Sequence, residues 1–159
     1  MVSTSFTLSS SAFKPNAEVP ALYTCEGKDV SPPLHWEGAP QGTTSFAIIV
    51  DDPDAPDPAA PKMTWVHWVV YNIPANINSL PANAHNLPPE IHEGLNDWKV
   101  SGYRGPCPPI GQHHYHYKIY ALDVLLPDRG IMTKADLEKA MKGHILSQAE
   151  LVATYQKRH

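Results

Sequence analysis

The sequence predicts a mainly-β fold, and three observations carry that expectation. Seventeen prolines in 159 residues cut the chain into short apolar runs, and proline ends helices because it lacks an N–H and clashes with the preceding turn. The strongest of those runs are rich in Val, Ile, Trp and Tyr, which fit a pleated, half-buried surface. Only one stretch carries both a helix start and a helix stop.

Phe6-Thr7-Leu8 alternates weakly and is expected to open an edge strand. Leu22-Tyr23-Thr24 and Leu34-His35-Trp36 are short strand candidates bounded by Gly or Pro. Ser45 to Val50 is a continuous apolar run, predicted as a strand buried on both faces and ending at Asp51-Asp52-Pro53. Trp65 to Ile73 is a second strong strand, closed by Pro74. Ala75 to Gly94 has no period and many Asn and Pro, so it reads as one long loop. Tyr115 to Leu125 alternates Tyr117, Ile119 and Ala121 against His116, Lys118 and Tyr120, a third strand.

Thr133-Lys134-Ala135-Asp136 supplies an N-cap and an acidic residue three positions on, Leu137, Ala140 and Met141 share a face, and Gly143 is a natural stop. The tail from Ala149 to Lys157 fits period 2 at Leu151, Ala153 and Tyr155, yet its composition also suits a helix. With about 5–6 % of folded X–Pro bonds cis, roughly one cis proline is expected.

The length suits one domain, 1–159. With 42 % apolar and 18 % charged residues, disorder is excluded. No run approaches the ~20 apolar residues of a membrane helix, so no integral membrane segment is expected. The polar start, Met1 to Ser11, does not read as a signal peptide, and a cytoplasmic location is the default expectation. A net charge of −4, with no block of Lys or Arg, disfavours nucleic acid as a partner. In a cytosol, Cys25 and Cys107 are expected as two free thiols, their pairing left to the geometry.

Two stretches place polar residues where a strand meets a proline loop: Asp51-Asp52-Pro53-Asp54-Ala55-Pro56 with Trp65-Val66-His67-Trp68, and Gly105-Pro106-Cys107-Pro108-Pro109 through Gln112-His113-His114-Tyr115-His116. Alone, the first is a good turn and His67 a satisfied core histidine. Together they suggest a cluster. A carboxylate that accepts from one imidazole nitrogen fixes the tautomer and leaves the other nitrogen as a donor for an anion. Tyr115 would add a phenolic donor, and the prolines would hold the pocket rigid. Asp52, His67 and His113 also make a two-His, one-carboxylate set, so a metal-dependent enzyme is the alternative. A hydrolase has no Gly-x-Ser-x-Gly elbow to build on, and Cys107 beside His113 is the only nucleophile–base pair.

These motifs, with Asn72-Ile73-Pro74, Tyr103-Arg104, Gly111, Thr24-Cys25-Glu26-Gly27 and Ser31-Pro32-Pro33-Leu34, resemble in order the phosphatidylethanolamine-binding proteins, in the bacterial branch similar to Raf kinase inhibitor protein. The resemblance implies a Greek-key-like sandwich of two antiparallel sheets with peripheral helical turns, a short helix near the C-terminus and a final strand. It implies a cavity for phosphate, sulfate, acetate or a phospholipid head group, lined by Asp52, His67, His113 and Tyr115 and shaped by Asp54, Pro108 and Pro109. It implies a binding or inhibitory protein rather than an enzyme, with no cofactor. A protein partner, such as a kinase, and a homodimer stay open. His114 stands where the eukaryotic branch usually has Arg, and the C-terminal extension of that branch is not expected here, so its lipid specificity and kinase regulation are not carried over.

Overall fold

The computed structural model describes residues 5–84, 87–127 and 130–157; the first four residues of the polar start and residues 85–86 of the long loop lie outside them. The elements run β1 (Thr7–Ser9), β2 (Leu34–Glu37), β3 (Ser45–Ala55), β4 (Met63–Pro74), β5 (Ser79–Leu80), β6 (His92–Glu93), β7 (Gln112–Leu122), α1 (Lys134–Met141) and β8 (Ile145–Gln156). They form two antiparallel sheets, a small one ordered β1-β2-β5 and a large one ordered β6-β4-β3-β7-β8.

β3 lies at the centre of the large sheet, and its side chains divide by period 2. Phe46, Ile48 and Val50 face the small sheet and pack with Leu8, Leu34 and Trp36. Ala47 and Ile49 face the other way and pack with Val69, Tyr71 and the α1 residues Leu137 and Met141. A strand covered on both faces has to be apolar throughout, which is why Ser45–Val50 reads as an unbroken hydrophobic run. The helix follows its sequence signals. The Thr133 hydroxyl accepts from the Asp136 N–H at 3.2 Å, the Asp136 carboxylate accepts from the Thr133 N–H at 3.1 Å, and Gly143 takes a φ of +83° past the last turn.

Four local readings are corrected. Leu22-Tyr23-Thr24 is not a strand; Ala21–Tyr23 is a 3-10 turn, because the N–H groups of Tyr23 and Thr24 find their acceptors at Pro20 and Ala21. β3 does not stop at Asp51 but continues through the proline to Ala55 as its ladder with β4 shifts register. The long loop contains β5 and β6, each two residues long and so too short to show a period. β7 ends at Leu122 rather than Leu125.

The ambiguous tail is β8, paired with β7 from Gln156↔Gln112 to Ile145↔Leu122, and Leu151, Ala153 and Tyr155 are its buried residues. One described peptide bond, Ala55–Pro56, is cis. The expectation of free thiols is overturned: Cys25 and Cys107 form a disulfide, with S–S 2.08 Å and Cα–Cα 5.4 Å. The Cys25 N–H also donates to the Pro106 carbonyl, which holds the two segments side by side. No described helix is long and apolar enough to cross a membrane.

Candidate functional site

A cavity of about 360 Å³ opens at the end of the large sheet where β3 leaves and where β4 and β7 begin. Its floor consists of Asp52, His67, His113 and Tyr115; its walls come from loops, with Pro56, Pro108, Pro109 and Trp98 among them.

Each floor residue is aimed by its strand. Asp51 and Asp52 are adjacent on β3, so they face opposite sides of the sheet. Asp51 is 1 % exposed and bonds Lys118 and Lys134 of β7 and α1, both at 3.0 Å. Asp52 points the other way, into the cavity. His113 and Tyr115 are alternate buried residues of β7 and share one face. His67 is placed by a bulge. Val50 pairs with Trp68 while Asp51 pairs with Val66, so His67 falls in the shift with no residue opposite. Such a bulge redirects a side chain that strict alternation would send elsewhere.

The hydrogen bonds fix the chemistry of these groups. His113 Nδ1 lies 2.5 Å from Asp52 Oδ2, and His113 Nε2 lies 2.8 Å from the Ile110 carbonyl. A carbonyl only accepts, so Nε2 carries a proton, and one further proton sits between Nδ1 and the carboxylate. The other Asp52 oxygen accepts from the Asp54 N–H at 2.8 Å. Burial pushes the Asp52 carboxyl above its usual range, and the bonds from His113 and Asp54 oppose that shift.

His67 Nδ1 donates to the Arg104 carbonyl at 2.7 Å, and its ring packs edge-on against Trp98 and Tyr115. Burial lowers its pKa to about 4, outweighing the Arg104 bond and the nearby Asp51 and Asp97 carboxylates. Tyr115 is 1 % exposed, and burial followed by the Asp52 charge holds its phenol well above the usual range, a neutral hydroxyl.

The expectation that a carboxylate-oriented histidine would present its second nitrogen to a ligand is corrected, because His113 spends that nitrogen on Ile110. The metal-centre alternative is corrected for the same reason: His113 has no lone pair to give, and among the described residues no group of three His, Cys, Asp or Glu is placed to hold a metal ion. Cys107 lines the cavity, but as half of the disulfide it is no nucleophile.

Pro108 and Pro109 stand in the wall. Asp54 does not line the cavity. Its carboxylate accepts from the His114 N–H at 2.8 Å and bonds the His114 ring at 2.9 Å; burial alone would raise its pKa, but these bonds lower it. Sequence reasoning missed Trp98. Its N–H donates to the Asn96 side chain at 2.9 Å, and Asp97 joins β4 through the Val66 N–H and carbonyl. The Asn96-Asp97 pair before a lone Trp was the available signal, since Asn and Asp fold back on their own backbone.

His67 supplies a pH test. Between pH 6.5, its ordinary value, and pH 4 the unfolded chain binds a proton there that the folded chain does not, so stability falls with acidification. The loss from this ring approaches about 3 kcal/mol as the pH passes below the folded value. Asp52, with a raised carboxyl, acts with the opposite sign: its contribution is fully present below pH 3.8 and lost as the pH rises. Urea unfolding at pH 7 and pH 4.5 is therefore compared between wild type and His67→Gln; the variant is expected to keep its stability better on acidification.

The fold and the site together define a two-sheet β protein with a preformed cavity at one sheet end. The chain belongs to the phosphatidylethanolamine-binding protein family, whose model matches residues 9–156. It is similar to a UPF0098 protein of Methanothermobacter thermautotrophicus, 42 % identical over 153 residues that cover 94 % of this chain and 98 % of that protein. Among solved structures, a phosphatidylethanolamine-binding protein homologue from Chlamydia trachomatis superposes with a TM-score of 0.90 at 39 % identity, covering 98 % of this chain and 100 % of that one. YbcL of Escherichia coli gives 0.86 at 34 % identity, covering 96 % and 99 %.

Proposed function

We propose that this chain is a binding protein rather than an enzyme, and that its cavity holds a small anionic group, such as phosphate or the phosphate of a lipid head group. The observation that carries the reading is the convergence of three distant stretches on one rigid hollow whose floor keeps two polar atoms free. Neither His67 Nε2 nor the Tyr115 hydroxyl is taken up by a hydrogen bond among the described residues. The bonds from His113 and the Asp54 N–H to its two oxygens offset part of the opposition of Asp52 to an anion. A cavity that is mostly apolar with a few convergent polar groups is the usual form of a small-ligand site. The bridge between Cys25 and Cys107 favours an oxidising compartment over the cytoplasmic default.

Titration with inorganic phosphate, followed by NMR of the histidine rings, tests the reading. The His67 signals should move and saturate in the millimolar range, and His67→Ala should weaken binding by about tenfold or more, the loss of roughly one hydrogen bond. Rings that stay still at saturating phosphate would overturn it.

A further inference from the structure

We propose that the cavity selects phosphate groups that carry their own ionisable proton, inorganic phosphate and phosphomonoesters, over phosphodiesters and sulfate. The inference rests on the anion reading above and names the ligand class for that same site.

It follows from counting which polar atoms of the floor remain available. Each Asp52 oxygen already takes one hydrogen bond within the protein and can only accept more, and both His113 nitrogens are committed. His67 Nδ1 faces the Arg104 carbonyl, which only accepts, so the proton of the neutral ring is on Nδ1 and Nε2 is a lone pair. Tyr115 is left as a hydroxyl. Among the wall side chains the indole N–H groups of Trp65 and Trp98 are neutral donors, and Pro56, Met63, Pro108 and Pro109 have none. The floor thus pairs a proton acceptor with a proton donor and offers no fixed cation.

A tetrahedral anion without a proton meets this floor badly, because one of its oxygens faces the Nε2 lone pair. It must first place a proton on His67. The charged groups around that ring are the Asp51 and Asp97 carboxylates, which favour the proton, and His113, which opposes it, with the Asp52 carboxylate on the cavity floor and the Arg104 guanidinium over Trp98. Burial prevails and keeps the ring neutral down to about pH 4. Each pH unit above that value costs such a ligand a factor of about ten in affinity. A monoprotonated phosphate avoids the cost. Its P–O–H donates into Nε2, the Tyr115 O–H donates to a second oxygen, and no bond between heavy atoms is made or broken. The second of these bonds, from Tyr115 to an oxygen that carries charge, is the strong kind.

Calorimetric titration of the intact protein with four probes, inorganic phosphate, methyl phosphate, dimethyl phosphate and sulfate, at pH 6.5 and pH 4.5 decides the matter. At pH 6.5 the first two should bind at least about tenfold more tightly than the last two. On going to pH 4.5 dimethyl phosphate and sulfate should gain about tenfold per unit, taking up one proton on binding. Sulfate controls for size, and dimethyl phosphate controls for single charge. If both match inorganic phosphate at pH 6.5, proton selection is overturned while the anion reading stands. Silence of all four probes at both pH values overturns the anion reading and this inference with it. Co-sedimentation with phosphatidylcholine vesicles containing phosphatidate then separates the sources: recovery with the vesicles assigns a lipid-borne monoester, and phosphate binding without recovery assigns a soluble one. Both support the same chemistry.

Discussion

Ile48→Asp leaves the chain with no cooperative thermal transition at ordinary temperatures. Ile48 is fully buried at the middle of β3, between Val70 of β4 and Ile119 of β7, on the face that packs against the small sheet. A carboxylate there has no cation within the apolar and aromatic cluster, and burying an unpaired polar group costs several kcal/mol even after the group takes up a proton. The lost isoleucine packing adds about 2–5 kcal/mol. Against a typical domain stability of about 5–15 kcal/mol the sum removes most of the margin. Circular dichroism melting checks it; a wild-type curve would mean that β3 is not the central strand.

Replacing both Cys25 and Cys107 with serine is expected to lower stability by about 4 kcal/mol, because the bridge closes a loop of 82 residues and so restricts the unfolded chain. Urea midpoints of wild type and double variant, measured without reductant, give the comparison, and added reductant should bring the wild type toward the variant. Midpoints that coincide would show that the pair contributes nothing. The two neutral hydroxyls fill nearly the same space as the sulfurs, so the change reads the cross-link more than the packing.

The parts of the fold that the residues announce are those with a repeating pattern. β3, β4, β7 and α1 each run long enough for their burial to show as a continuous run, a period of 2 or a capped helical face. β5 and β6, two residues each, have no pattern to detect; they exist because β2 and β4 offer them partners. The tail Ala149–Lys157 fits period 2 while its composition also suits a helix, and pairing along β7 settles it as strand. In the site, Asp52, His67, His113 and Tyr115 were marked by their place at strand–loop junctions, but their commitments were not.

That neither nitrogen of His113 is free follows from the Asp52 carboxylate and the Ile110 carbonyl, and the aim of His67 depends on a register shift, all matters of tertiary placement. The family resemblance implies Asp54 in the wall, and only the position of His114 shows where its charge goes. The disulfide joins residues too far apart in order for spacing to indicate a pair.

The hollow has its base woven into three hydrogen-bonded strands and its mouth cut from turns. These two parts answer to different pressures. Residues at the lip, Trp98, Pro108 and Pro109 among them, can be exchanged without disturbing the ladders beneath, because loops tolerate change that paired strands do not. One unaltered base can therefore serve under many differently shaped entrances, and under the proposed binding role the lip would set which guests are admitted while the base keeps one chemistry.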